Sequence, residues 1–456
     1  MLALKDDIAV GYSSQRAVLV DISDKLPTKY LNTKSSLVLF AVLNFDDDKG
    51  SINFLREYAV FPSKKDIEDS IAKLVDELKD YLVRIDHQEP RSNISLQRLI
   101  GAENNQIGNK YRLDYPVKLV WVPTWKCNRN CLYCGVAKVN PSHAEEQIPL
   151  PVMFERFQEA VDKGVKLVNI HGGDPLFCYN DGIYKIIRLL TENNVKVNLS
   201  TKNRVSEEKA LHLKDAGLKR IQLSIDTTKS DLLEKLYGEP DYLAGFEDSV
   251  RNLKSTGIGI TVNVVISNLN YKDVPELLVY LSQLEVGQVS LSNFRKGQVN
   301  SVDYSLDNKQ QMWLFKEIRK IRKSLNFFDF TYTPFTPPAE SASKKPVCDS
   351  GRISLMFLPD GRGCYCDFLS EDERFLFGNL KEQTIEEVWN SDELKSLLNP
   401  PLKALEGSDC TGCDGLKYCI ERGFCFLTSD SKKMFSPDFK SMECFARKVD
   451  AYATNS

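Results

Sequence analysis

Cys127-Asn-Arg-Asn-Cys131-Leu-Tyr-Cys134 decides how this chain is read. The triad begins three residues after an apolar segment, Lys118–Thr124, that reads as a strand. Beyond it, short apolar strands alternate with helical stretches. The strands are Leu167–His171, Lys196–Thr201, Arg220–Asp226, Thr261–Ile266 and Gln288–Asn293. Between them lie the helical patterns Val152–Asp162, Ile183–Thr191, Glu207–Lys214, Phe246–Ser255 and Val274–Gln283. Six βα repeats imply a parallel sheet with crossover helices. A closed or partial βα barrel puts its chemistry at the C-terminal ends of the strands; a doubly wound sheet is the structural alternative. Three thiolates this close can bind three irons of a [4Fe–4S] cluster and leave the fourth iron without a protein ligand. Catalytic metal sites keep such an open position, and structural ones close it. A zinc loop with a distant fourth ligand is the bland reading of the same residues.

The other cysteines extend the pattern. There are twelve in 456 residues, none before Cys127 and none between Cys178 and Cys348. Such clustering points to ligands rather than to scattered small hydrophobes. The charge is nearly balanced, 60 Lys+Arg against 63 Asp+Glu, which argues against a phosphate-tracking surface and a nucleic-acid partner. Leu37–Phe45, the longest apolar run, is too short to cross a bilayer. The first residues lack the charged-then-apolar build of a signal peptide. The expectation is a cytoplasmic protein without a membrane partner, whose thiols stay reduced.

Composition divides the chain. Residues 1–85 form a small unit: Ile8–Tyr12 and Ala17–Ile22 read as a hairpin, Ser35–Phe45 as a buried helix, and Lys64–Val83 as an amphipathic helix capped by Ser63. Residues 86–115 read as a linker and 116–325 as the βα region, closing with a helix over 307–325. Residues 326–345 are a Pro/Ser-rich bridge, 346–446 hold eight cysteines, and 447–456 are a tail.

With these motifs in place, the triad segment resembles the radical S-adenosylmethionine (radical SAM) superfamily, in which CxxxCxxC follows the first strand of a partial (β/α)6 barrel. The resemblance implies that Cys127, Cys131 and Cys134 hold a cluster whose fourth iron is chelated by SAM. One electron from that cluster cleaves SAM, and the 5'-deoxyadenosyl radical takes a hydrogen from substrate. Tyr133 stands where relatives place an aromatic residue near adenine. His171-Gly-Gly-Asp-Pro175 resembles the family's GGEP motif, so Gly172, Gly173 and Asp174 are expected to meet the SAM ammonium. Ser200 and Thr201 end the third strand. Ser224 and Asp226 match a Ser-x-Asp that holds the ribose or carboxylate of SAM. Relatives carry an Arg about a dozen residues later; here the stretch is Glu234-Lys-Leu-Tyr-Gly238, and Lys235 or Tyr237 is the substitute.

The second cysteine group resembles the SPASM domain, which carries auxiliary clusters. Cys348 is followed by Gly361 and Cys366, then by Cys410-Thr-Gly-Cys413, Cys419, Cys425 and Cys444. Five residues separate Cys419 from Cys425, where the family pattern has three. By resemblance, Cys348, Cys366 and Cys425 hold one auxiliary cluster with Cys364 as fourth ligand, and Cys410, Cys413, Cys419 and Cys444 hold the other. That makes three [4Fe–4S] clusters in all, with two zinc sites as the alternative for this half. Asp367 follows Cys366, at the place where anaerobic sulfatase-maturating enzymes have a base toward substrate. Cys178 reads as a plain buried thiol.

Residues 1–85 resemble the RiPP recognition element, a winged-helix-like module that binds the leader of a ribosomally made precursor peptide as an added strand. A winged helix can also bind DNA, but Lys64–Val83 carries four lysines against six acidic residues. The implied function is a radical SAM/SPASM peptide maturase that installs a carbon–carbon, thioether or ether cross-link. A flavodoxin or ferredoxin would donate the electron. Sulfatase-maturation-type protein oxidation, small-metabolite chemistry and a non-enzymatic metal scaffold are the rivals.

Overall fold

The computed structural model describes residues 2–85 (without 14, 15, 24, 46 and 60), 94–100, 111–134, 147–177, 181–294, 302–325 (without 323), 329–332, 348–400, and 416, 420 and 423. They fall into two compact units, residues 1–118 with 351–354, and 119–350 with 355–456.

The first unit begins with β1 (Leu2–Leu4), β2 (Ile8–Ser13), β3 (Arg16–Asp21) and β4 (Lys29–Tyr30), followed by α1 (Thr33–Asn44), α2 (Asp48–Tyr58), α3 (Lys64–Glu77), β5 (Leu82–Arg84) and α4 (Leu96–Ile100). The expected hairpin is β2–β3, and β4 adds to make a three-stranded antiparallel sheet. Ser63 does cap α3, accepting from the Asp66 amide at 3.2 Å. The helix stops at Glu77 instead of running to Val83. The chain turns at Leu78–Tyr81, and Leu82–Arg84 pairs with β1. Leu78, Tyr81 and Leu82 are buried all the same, so their spacing imitated a longer helix. α2 is not evident from sequence because only a short apolar set marks it; Asp47 caps it, accepting from Gly50 at 2.6 Å. The linker is partly built in: Ile94 and Leu99 bury against Leu19, Leu39, Leu55 and Ile67 in this unit's core.

The larger sheet carries the βα repeats as β6 (Lys118–Trp121), α5 (Leu150–Asp162), β7 (Leu167–Ile170), α6 (Gly182–Glu192), β8 (Lys196–Thr201), α7 (Glu207–Asp215), β9 (Arg220–Ser224), α8 (Ser230–Tyr237), α9 (Tyr242–Thr256), β10 (Gly259–Ile266), α10 (Val274–Gln283), β11 (Gln288–Asn293), α11 (Asn308–Arg322) and β12 (Asp329–Tyr332). The strands lie side by side in sequence order, and the pairings from β7 through β12 are parallel. A doubly wound sheet would reverse direction at a switch point. This order never reverses, which is the barrel-type winding. Two features depart from the expectation. The bridge segment opens with a seventh parallel strand, β12, and an additional helix, α8, stands between β9 and α9. Gly238, at φ 73°, ends α8 in a left-handed turn that a Cβ would strain.

On the other edge, beside β6, the sheet continues into β13 (Ser354–Phe357), β14 (Arg362–Cys364) and β15 (Leu376–Asn379), an antiparallel ribbon. α12 (Ile385–Trp389) and α13 (Asp392–Leu398) follow. Thr384 and Glu387 form a reciprocal capping box at α12, which buries Val388 and Trp389. No described helix is long and apolar enough to cross a membrane.

Candidate active site

Loops at the C-terminal ends of four strands, β6 to β9, converge. The first is the cysteine loop. Its approach, Thr124 to Lys126, is held by the Gly-Gly turn after β7: Gly173 N–H donates to Thr124 O at 2.9 Å, and Asp174 N–H to Lys126 O at 2.8 Å. A Cβ on Gly173 would stand 2.4 Å from Lys126 O, and one on Gly172 2.5 Å from Val122 Cγ1. The two glycines are therefore needed first for chain-on-chain packing. The loop's far side is bonded to the end of α8, with Leu132 N–H donating to Leu236 O at 2.8 Å.

These loops wall a cavity of about 160 Å³. Cys127, Cys131 and Cys134 line it together with Arg129 and Tyr133. β7 contributes His171, Gly172 and Gly173, β8 contributes Ser200, Thr201 and Lys202, and β9 contributes Ser224. Among the described residues no three His, Cys, Asp or Glu side chains close round one ion-sized point. The three thiols all line the cavity, and a [4Fe–4S] cluster takes one thiolate per iron. Burial pushes Cys127 up, and lifts Cys131 to about 11 although Lys202 counters it; the neighbouring thiols add to both shifts. Ligation must displace these protons.

Six of the residues expected at SAM, namely Tyr133, Gly172, Gly173, Ser200, Thr201 and Ser224, line this cavity. Three do not. Asp174 is 1% exposed and already accepts from Thr201 Oγ1 and, at 3.1 Å, from the Leu176 amide. It fastens the β7 turn to β8 behind the wall. Asp226 has no exposed surface; it accepts from the Tyr133 hydroxyl and, at 2.7 Å, from the Val265 amide. It orients Tyr133. Burial lifts its carboxyl to about 7. Lys235 lies exposed on α8 and does not line the cavity, because its helix turns Leu233, Leu236 and Tyr237 inward.

The cavity's cations are ones the motifs did not announce. Arg129 is ion-paired with Glu239 and lies 5.3 Å from the Tyr242 ring centre. Lys202 Nζ sits 5.2 Å from the Tyr133 ring centre and 5.3 Å from that of Tyr237. A lysine within a strand-end Ser-Thr-Lys-Asn was the available signal.

The ribbon β13–β15 brings the start of the second cysteine group into the same unit. Cys366 and Asp367 follow β14, and the Asp367 carboxylate accepts from the Phe368 amide at 3.0 Å. Asp367 lies close enough to His171 to favour its protonated form, against the burial that lowers it. Cys364, by resemblance the fourth ligand of one auxiliary cluster, sits deeper than Cys348 and Cys366. It is 2% exposed, packs with Val122, Trp125, Met356 and Leu358, and its S–H donates to Cys366 O at 3.1 Å. Burial pushes its thiol up to about 12. Cys348 is half-buried. Cys178, Cys410, Cys413, Cys419, Cys425 and Cys444 lie outside the described residues.

Comparisons with known proteins bear on both halves. Residues 121–281 match the radical SAM superfamily, and residues 348–414 match SPASM, an iron–sulfur cluster-binding domain. The chain is 34% identical over 161 residues to the GTP 3',8-cyclase of Helicobacter pylori, covering 34% of this chain and about half, 49%, of that protein's length. It is 22% identical over 311 residues to the PqqA peptide cyclase of Gluconobacter oxydans, covering 66% of this chain and 83% of the relative. Among solved structures, Streptococcus suis SuiB bound to S-adenosylmethionine superposes with a TM-score of 0.67 at 19% identity, over 94% of this chain and 96% of SuiB. On matched sequence and shared fold, the chain carries a radical SAM domain followed by a SPASM iron–sulfur cluster-binding domain.

Proposed function

We propose that the protein is a radical SAM/SPASM maturase that modifies a ribosomally made precursor peptide. The observation that carries the reading is the cavity at the ends of β6 to β9, which three cysteines, a Gly-Gly turn, Ser200, Thr201 and Ser224 line together. Those residues fit a [4Fe–4S] cluster on Cys127, Cys131 and Cys134 with SAM beside it. When bound, the pair supplies a 5'-deoxyadenosyl radical that abstracts a substrate hydrogen. The chain's own part is to hold and orient. Tyr133, fixed by Asp226, offers a ring face for adenine, and the backbone of Gly172 and Gly173 lets the ligand approach closely. Asp367, beside Cys366 and facing His171, is placed to take the proton released as a substrate radical is oxidised. Cys348, Cys366 and Cys425 with Cys364 as fourth ligand, and Cys410, Cys413, Cys419 and Cys444, would hold the auxiliary clusters that accept the electron.

A peptide substrate is supported from two sides. A relative named for a peptide, the PqqA peptide cyclase, matches along two thirds of this chain. The SuiB fold, also solved with its precursor peptide SuiA, extends over 94% of the chain and so includes most of the N-terminal unit. In that unit, β2 and β4 are the edges of a small antiparallel sheet, where a leader can add as a strand. The likeness to GTP 3',8-cyclase covers about a third of the chain and gives no comparable support for a nucleotide substrate.

The test is to search beside the gene for a short reading frame that encodes a precursor peptide, co-express that peptide with the protein, and read its mass by mass spectrometry. A cross-link removes two hydrogens from the peptide. An unaltered peptide from cells in which the protein holds its clusters would sink the maturase reading.

A further inference from the structure

We propose that Lys202 binds the carboxylate of SAM, in place of the arginine that the α8 region lacks. The proposal rests on the SAM-binding reading of the cavity and names one of its contacts. Bound SAM brings a single anionic group, the methionine carboxylate, beside a sulfonium and an ammonium. The wall offers two strong cations, Arg129 and Lys202. Arg129 already has Glu239 as its ion-pair partner and packs on Tyr242. Lys202 has no carboxylate partner among the described residues. The two buried carboxyls behind the wall are committed elsewhere, Asp174 to Thr201 and the Leu176 amide, Asp226 to Tyr133 and the Val265 amide.

What Lys202 has instead are ring faces, Tyr133 at 5.2 Å and Tyr237 at 5.3 Å. A cation over a ring is held more weakly than one hydrogen-bonded to a carboxylate. The flexible four-carbon stem of lysine lets the ammonium leave the rings for a carboxylate bound within its reach. The alternatives from the α8 stretch are badly situated: Lys235 is exposed and off the cavity, and Tyr237 is fully buried between Tyr133 and Tyr242. Lys202 leaves β8 one residue after Thr201, so the charge comes from a different strand than the one that usually provides it.

The experiment measures equilibrium binding of SAM and of decarboxylated S-adenosylmethionine to the anaerobically reconstituted full-length protein. Lys202→Met is expected to weaken SAM by about tenfold or more, as for loss of a charge-assisted hydrogen bond, and to leave the decarboxylated ligand unchanged. Lys202→Arg is expected to restore most of the SAM affinity. Iron content and cluster absorbance report whether each variant is loaded, and Lys202→Gln replaces the Met variant if that one is not. Unchanged SAM affinity on charge removal, or an equal loss for both ligands, would overturn the assignment. A wild-type protein that holds its cluster but binds neither ligand would overturn the cofactor reading beneath it, which is a separate outcome.

Discussion

Asp226 shows how a single carboxyl can hold an aromatic wall in place. It is wholly buried, bonded to the Tyr133 hydroxyl and the Val265 amide, and burial raises it to about 7. An unfolded Asp ionises near its ordinary value, so between that value and 7 the unfolded chain has lost a proton that the folded chain keeps. Asp226 therefore stabilises the fold most at low pH, and this contribution declines as pH rises through the window. Asp226→Asn removes the dependence. Denaturant unfolding at about pH 5.5 and about pH 8 should show the stability difference between variant and wild type moving by about 2 kcal/mol in the variant's favour at the higher pH. Parallel behaviour of the two proteins would show that the carboxyl is ionised throughout. At this scale the sequence was readable wherever a residue type is demanded by a motif, as with Tyr133, Ser224 and the triad. It was not readable where orientation decides. Nothing in Gly-Gly-Asp-Pro or Ser-Ile-Asp tells that Asp174 and Asp226 turn behind the wall, and nothing in Cys364's spacing tells that it is buried in a cluster with Trp125 and Met356.

The turn after β7 is the element on which the cysteine loop depends. Gly173 lies against backbone at Trp125 and Lys126, atoms that cannot move aside as a flexible side chain would. If the proposed clusters are present, Gly173→Ala is expected to shift the loop and cost the protein the one on the triad, about four irons per chain, while iron held by the SPASM domain stays. Iron analysis and electron paramagnetic resonance of the reduced variant check this, and full iron content would show the turn to be adaptable. The βα elements were legible because buried parallel strands read as short apolar runs and their crossover helices keep a 3.6-residue period. β8, β11 and α10 begin and end where the periodicity put them. α8 was missed because eight residues give barely two turns of pattern. β12 was missed because the Pro/Ser-rich residues after it set the composition of the window.

At the scale of the whole molecule, leader binding is proposed for the first unit and radical generation for the second. If the first unit captures the leader, an excess of the leader segment alone should inhibit modification of the full precursor. Modification that continues unchanged would mean that the core peptide is recognised without it. The radical SAM and SPASM regions were legible because cysteine spacing marks both of them. A leader-binding surface would be less legible, since a sheet edge recognises an added strand through main-chain groups that no residue type advertises.

The central claim is that this cavity turns SAM into a hydrogen-abstracting radical for use on a peptide. It is tested most directly by quantifying 5'-deoxyadenosine after anaerobic incubation of the reconstituted protein with SAM, a reductant and the precursor peptide. The expected result is 5'-deoxyadenosine well above background, increased by the peptide and abolished by Cys131→Ala. Background levels from a protein shown to carry its [4Fe–4S] clusters would contradict it.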